Sequence, residues 1–343
     1  MGNVFLRWAG VTGAMFASGS VAMAQSAATA ANGTETQVGV VAITSENDLF
    51  GGTDRNYSNG IRAEFISRPD RAAGIFRTVA DYIPGLTVDR TIIRQGFGIA
   101  HAIFTPEDIS LVEPDPTDRP YAGWLAVSGT IIANDADTQD SLQINLGVVG
   151  PSAAGKFIQT NWHELIDGVE PQGWDSQLED ELGVEIVAQR QQVFLRTTAL
   201  PFGLEADAAY NFGGSLGNVR TYADIGIMMR FGGTLDAKEF GPPRIRPALA
   251  GAGGFEKKPG FGGYVFAGFQ GRAVARDIFL DGNTDRDSAR VDDRRDLVAD
   301  FQAGTALHYK SLQVSFTYVH RTEQFVAQDG PQRFGAISVA LAY

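Results

Sequence analysis

Three separated stretches hold side chains that could do chemistry. The first is Glu46-Asn47-Asp48, followed by Tyr57-Ser58-Asn59-Gly60. The second is Thr105-Pro106-Glu107-Asp108, leading to Asp118-Arg119-Pro120-Tyr121-Ala122-Gly123-Trp124. The third is Gln159-Thr160-Asn161-Trp162-His163, with Trp174 further on. Asn47 and Asp48 offer hard oxygen ligands of the kind Ca²⁺ takes. No second His and no Cys accompanies them, which disfavours a transition metal. If 155–166 forms helical turns, Gln159 and His163 share one face at i and i+4. Gln159 could then orient the imidazole or hold a water beside it. Histidine is the side chain whose ordinary pKa suits a general base near neutral pH. Taken singly, each motif also reads as structure. Asn and Asp bond their own backbone in turns, Arg119 could be a lumen charge paired with Asp118, and a lone His is commonly structural. Ser58 is a candidate nucleophile, although no G-x-S-x-G elbow occurs.

The elements that must position these groups follow from composition and periodicity. The chain has 343 residues, with 28 Lys+Arg against 40 Asp+Glu and a net charge of −12. No basic excess is available to displace counterions, so nucleic acid is not an expected partner. The absence of Cys excludes a disulfide framework, thiolate zinc sites and a Cys nucleophile. Residues 1–24 read as a signal peptide: Arg7, then an apolar stretch from Trp8 to Val21, then Ala22-Met23-Ala24 before Gln25. Residues 25–37 read as a small, polar, flexible lead-in. Beyond the N-terminus no run approaches the ~20 apolar residues of a spanning helix. Spanning strands escape that test, because alternation hides their apolar half.

Strict alternation is the strongest pattern in 38–343. Leu142, Ile144, Leu146 and Val148 alternate with polar or small residues, as do Leu312, Val314, Phe316 and Tyr318. Twelve strands are expected, at 38–46, 59–67, 92–102, 122–132, 140–150, 185–197, 202–212, 220–231, 262–274, 297–309, 311–321 and 333–343. An extra strand at 246–253 and an amphipathic helix through Ile75, Val79 and Ile83 are further expectations. The fold expected is all-β: a transmembrane antiparallel β-barrel with short helical segments in its loops, the alternative being a periplasmic β-sandwich. Aromatics at segment ends (Trp124, Phe202, Phe212, Tyr309, Tyr318) suggest an interfacial girdle. The last strand ends on Ile337, Val339, Leu341 and Tyr343, a pattern that resembles the signal read by the barrel assembly machinery. An even count puts both termini in the periplasm, which gathers the three motifs at the cell-exterior end.

These motifs resemble the LpxR-like lipid A 3′-O-deacylases of Gram-negative outer membranes. The resemblance runs from Asn47 to Tyr343. It is most specific at Asn47-Asp48, Tyr57-Ser58-Asn59-Gly60, the run from Asp118 to Gly123, and Gln159-x-x-x-His163 with Trp174. It implies a twelve-stranded outer-membrane barrel with a Ca²⁺-dependent site at the outer-leaflet end, between barrel wall and lumen. It also implies lipid A, within lipopolysaccharide, as substrate, and hydrolysis of the 3′ acyloxyacyl ester. By the same resemblance His163, Gln159, Asn47 and Ser58 are the catalytic candidates, Ser58 standing where the family has Thr. Asp48, Asn47 and Glu170 are the metal candidates, with Val169 at the strict register position of that Glu. The stretch Asp108-Ile109-Ser110-Leu111 lacks the Lys some members carry, leaving Arg119 or divalent cations to offset an anionic lipid surface. The alternatives are a phospholipase-type serine hydrolase and a non-enzymatic porin-like barrel.

Overall fold

Period-two alternation of apolar and polar side chains gives each strand two unlike faces, and twelve such strands close on themselves. In this computed structural model the described residues are 39–51, 56–68, 92–135, 137–198, 200–233, 235 and 260–343. The signal peptide, the 25–37 lead-in, the helix through Ile75 and the strand at 246–253 lie outside them. The strands are β1 (Val40–Asn47), β2 (Asn56–Ile66), β3 (Ile92–Thr105), β4 (Ala122–Asn134), β5 (Thr138–Val149) and β6 (Glu181–Thr197). They continue as β7 (Glu205–Gly217), β8 (Arg220–Gly233), β9 (Phe261–Asp277), β10 (Leu297–Tyr309), β11 (Leu312–Arg321) and β12 (Gln332–Ala342). Each pairs antiparallel with its sequence neighbours, and β12 returns to β1 in register from Val40↔Ala342 to Asn47↔Gly335. Closure leaves no strand edge, which a sheet in hydrocarbon requires. Among the described residues, two α-helices, α1 (Gly155–Ile166) and α2 (Ile278–Asp281), lie in the connections of one end.

The two faces are inverted relative to a soluble protein. Ile61, Phe65, Phe97, Ile99, Val127, Ile144 and Val314 point outward and are exposed. Arg62, Glu64, Arg94, Asp207, Arg230, Arg272 and Asp300 point inward and are buried. A β-sandwich would bury its apolar face, so that alternative is excluded. No described helix is long and apolar enough to cross a membrane; the strands are the spanning elements.

The lumen is bound together by ion pairs. Asp300 accepts two bonds from Arg321, at 2.7 and 2.8 Å, and two from Arg272, at 3.1 and 3.2 Å. Towards the end bearing α1 and α2, aromatic rings take over. Phe104 and Phe279 stack at 3.9 Å between centroids, and the Arg220 guanidinium lies 4.8 Å above Phe279. Phe279 is carried there by α2, whose first turn is capped where Asp277 Oδ1 accepts from the Phe279 N–H at 3.2 Å.

Several boundaries differ from expectation, each for a local reason. Pro201-Phe202-Gly203 forms a tight turn with Phe202 at φ 64, so β7 starts at Glu205 rather than 202. β2 starts at Asn56, because a bulge at Ser58 absorbs the change of register. Trp124 does not join a girdle. It faces inward and is buried beneath Gly183, where a Cβ would fall within 2.3 Å of its ring.

Asp300→Ala would leave two guanidinium groups buried without their shared carboxylate. Removing one partner of a buried pair costs ~3–5 kcal/mol. The urea midpoint, followed by the heat-modifiable gel shift of the barrel in vesicles, should fall accordingly; an unchanged midpoint would contradict this account of the lumen.

Candidate active site

One row of the sheet organises the site. Asn47 pairs with Asn59, Asn59 with Ile103, and Ile103 with Gly123, so the row runs across β1, β2, β3 and β4 at the end bearing α1. Neighbouring strands lie ~4.8 Å apart, which puts β1 and β4 ~14 Å from each other. The direction of the side chains is set by parity. On β3, Phe97 and Ile99 are exposed outward, so His101, Ile103 and Thr105 occupy the same outward series. On β4, Val127 is exposed outward, and Gly123 and Tyr121 follow in step. On β1 the inward series is Val40, Ala42, Thr44 and Glu46, which leaves Asn47 at an outward position.

These outward positions should meet lipid, yet Asn47, His101, Ile103, Thr105 and Tyr121 are all buried. Protein covers them. Gly123 would bring a Cβ to within 3.0 Å of Ala153 Cβ and 3.2 Å of the Gly155 nitrogen, so the start of α1 rests directly on β4. The Ala153 carbonyl accepts a bond from His101 Nε2 at 2.8 Å. Trp174 packs with Ile103, Ile109 and Tyr121, its ring 4.8 Å from that of Tyr121. Both α1 and the 173–176 turn are therefore laid on the outer side of the wall. The site expected between wall and lumen lies on the opposite face of the wall.

Gln159 and His163 point from α1 towards that wall and are buried, as their i, i+4 spacing predicts. Trp174 Nε1 donates to Gln159 Oε1 at 2.8 Å. An indole nitrogen can only donate, so this contact fixes which end of the amide is which. Gln159 Nε2 is left buried with no hydrogen-bond partner among the described residues. His163 is set by the helix end. Asp167 adopts a left-handed conformation (φ 53), the Gly168 N–H bonds back to the His163 carbonyl at 2.8 Å, and the chain reverses. That reversal brings the Val169 carbonyl to within 2.5 Å of His163 Nδ1. A carbonyl only accepts, so Nδ1 carries the proton, and in the neutral ring the lone pair is on Nε2. Gly168 is needed there because a Cβ would stand 3.0 Å from Nδ1.

Ser58 is the extra residue of the β2 bulge, and its hydroxyl bonds Thr105 Oγ1 at 2.6 Å. It makes no bond to an imidazole among the described residues. Asp48 opens a tight turn (Asp48–Gly51) that folds against β12: a Cβ on Gly335 would fall within 2.6 Å of Phe50, and Phe50 packs edge-on to Phe316 at 5.8 Å. Asn47 and Asp48 are both buried oxygen donors, which fits a hard cation in kind. Glu170 is exposed, one residue past the Val169 carbonyl. No three His, Asp or Glu converge as a cluster among the described residues.

Other motifs resolve into structure. Asp108 Oδ1 accepts from Ser110 Oγ and N, which holds its carboxyl below the usual range. Asp118 accepts from the Glu107 and Arg119 backbone N–H groups, both at 2.6 Å. The Arg119 guanidinium instead enters the lumen, where it bonds the Asn56 carbonyl at 3.2 Å and Gln324 Oε1 at 3.0 Å. Burial lowers its pKa to about 10, against the pull of Asp277 and Asp118. Fully buried there, Arg119 is not the cation that would meet an anionic lipid surface.

A family model described as outer membrane protein LpxR matches residues 11–343. The chain belongs to the LpxR family. LpxR from Salmonella typhimurium shares the fold of this LpxR-family chain, with a TM-score of 0.70 at 19% identity, over 88% of this chain and 99% of that one. The β domain of the Bordetella autotransporter Brka matches at a TM-score of 0.42 and 12% identity, over 90% of this chain and 100% of that one, too distant to carry an argument. No curated protein matches. This LpxR-family member is an outer-membrane β-barrel.

His101 and the anchoring role of Trp174 were not legible as site features, nor was the pairing of Thr105 with Ser58. Each is recognisable only once α1 is known to lie across β3 and β4. Gly155 is the tightest point of that contact, since a Cβ there would sit 2.5 Å from the Trp174 ring. Gly155→Leu should lift α1 from the wall. Limited proteolysis should then cut within 155–175 at least ~10-fold faster while the barrel core stays resistant; an unchanged rate would contradict the packing described.

Proposed function

We propose that this LpxR-family barrel is a lipid A 3′-O-deacylase that hydrolyses the 3′ acyloxyacyl ester with a His-activated water. The observation that carries the reading is the pair of buried polar side chains, Gln159 and His163, held on the lipid-facing side of the wall. A substrate anchored in one leaflet reaches such a site laterally, without entering the lumen. The rim bearing α1 faces the cell exterior in this reading, where lipopolysaccharide resides, and the C-terminal strand is the part the barrel assembly machinery receives.

His163 Nε2 removes a proton from water as the water oxygen bonds to the ester carbonyl carbon. The carbonyl electron pair moves to oxygen, and the buried Gln159 Nε2 donates to that oxyanion. Trp174 keeps the amide from turning its oxygen towards the same charge. The intermediate then collapses, the C–O bond to the sugar breaks, and the proton on His163 passes to the departing alkoxide. The products are a fatty acid and a sugar hydroxyl. Ser58 and Thr105 hold a hydroxyl pair at the rim that can position water. Asn47 and Asp48, with Glu170 as a further candidate, would hold Ca²⁺, which when bound supplies a positive charge for developing negative charge on the substrate.

Two other readings fit the geometry less well. A serine nucleophile would need Ser58 beside an imidazole, whereas its hydroxyl is bonded to Thr105. An open pore would need a clear lumen, whereas Phe104, Phe279, Arg119 and Arg220 meet across one end.

His163→Ala should lower ester release by ~10²–10⁴-fold in a normally folded barrel, as loss of a general base does. Ser58→Ala should keep most activity. Mass spectrometry of lipid A from cells with and without the chain should show loss of the 3′ acyloxyacyl group. Full activity in His163→Ala, or unaltered lipid A, would defeat the proposal.

A further inference from the structure

Helix α1 presents three unlike flanks, and only one is explained by the wall. Successive side chains turn by ~100°. Gly155, Gln159 and His163 face the barrel. Trp162, Ile158 and Leu165 run down one flank, while Phe157 lies on the side turned away from the barrel, about 20° from Glu164. Lys156, Thr160 and Glu164 run down the other flank. Phe157 is 70% exposed, Leu165 52% and Ile158 37%, so three large apolar side chains on one short helix lack protein cover. The opposite flank is charged and exposed, with Lys156 Nζ bonded to Asp175 at 2.7 Å.

The helix also sits at a defined height. Strands rise ~3.3 Å per residue. Ile99 and Val127, both exposed on the lipid-facing belt, are four residues from Ile103 and Gly123, the row on which α1 rests. The hydrocarbon-facing belt therefore continues to within ~13 Å of the helix on the same side of the same strands. An apolar flank continuous with such a belt, backed by a charged flank, is the pattern of a helix lying in a membrane interface.

We infer that α1 is an interfacial helix: its Ile158–Trp162–Leu165 flank lies against the acyl chains of the leaflet, and its Lys156–Glu164 flank lies in the headgroup and water layer. This deepens the deacylase reading and rests on it for its meaning. The helix that carries Gln159 and His163 also sets their depth, at the level where an acyl chain is joined to its headgroup. Substrate then needs no extraction from the bilayer, because the helix holds the wall-facing pair at the height of the ester.

The chain has no Cys, so single thiols can be introduced cleanly. Ile158→Cys, Leu165→Cys, Lys156→Cys and Glu164→Cys variants would each carry a nitroxide, in barrels inserted into phosphatidylethanolamine–phosphatidylglycerol vesicles. Collision rates with oxygen and with a water-soluble nickel chelate report the depth of each label. The ratio of oxygen to nickel collisions should be at least about threefold higher at 158 and 165 than at 156 and 164. Equal ratios at all four sites, or labels at 158 and 165 as open to nickel as those at 156 and 164, would overturn the inference. The readout involves no hydrolysis. An inactive barrel showing the same contrast would thus count against the deacylase reading while supporting the placement of the helix.

Discussion

A polar side chain on the outer face of a membrane barrel must be covered by protein or face hydrocarbon, and the latter costs several kcal/mol. This chain places Asn47, His101 and Thr105 at such positions, and the structure depends on how they are covered. The connection between β5 and β6 leaves the rim, drops α1 across β3 and β4, and returns through the Trp174 turn. Small residues make that contact possible: Gly123 beneath Ala153, Gly155 beneath Trp174. The Gln159 amide and the His163 imidazole are buried between the helix and the wall, and the thickness of one sheet separates them from the lumen.

The lumen performs a different task. The Arg321–Asp300–Arg272 group ties β9, β10 and β11 together, and the Phe104–Phe279 stack fixes the end of β3. Thr105 follows directly on Phe104, so the same strand end is gripped from inside by an aromatic stack and used from outside by a hydroxyl pair. Rigid walls suit a site whose groups come from three connections widely separated in sequence.

Much of the barrel was legible in the sequence. Period-two alternation gave all twelve strands and their order, because apolar residues facing lipid repeat strictly. The i, i+4 spacing of Gln159 and His163 gave the helix and its shared face. Periodicity says which residues share a face, but not which loop will cover it. The placement between barrel wall and lumen came from the resemblance, not from periodicity, whereas Gln159 and His163 lie against the outer face of the wall. The bulge at Ser58 left no compositional mark, since a bulge needs only one unpaired residue. Trp124 and Phe202 show the limit of reading aromatics as a girdle: one is buried inside the barrel and the other tips a turn. The contact between Trp174 and Gln159 spans a turn whose path no spacing rule gives.

The central claim is that α1 lies on the outer face of the wall, on β4. The Gly123→Cys/Ala153→Cys variant tests this directly, because bridged Cβ atoms lie ~3.5–4.5 Å apart and these two positions are in contact. Mild oxidation of the folded barrel in vesicles should remove both thiols from titration and leave its heat-modifiable gel shift intact. Two thiols that stay free and reactive under the same conditions would show that the helix does not rest there.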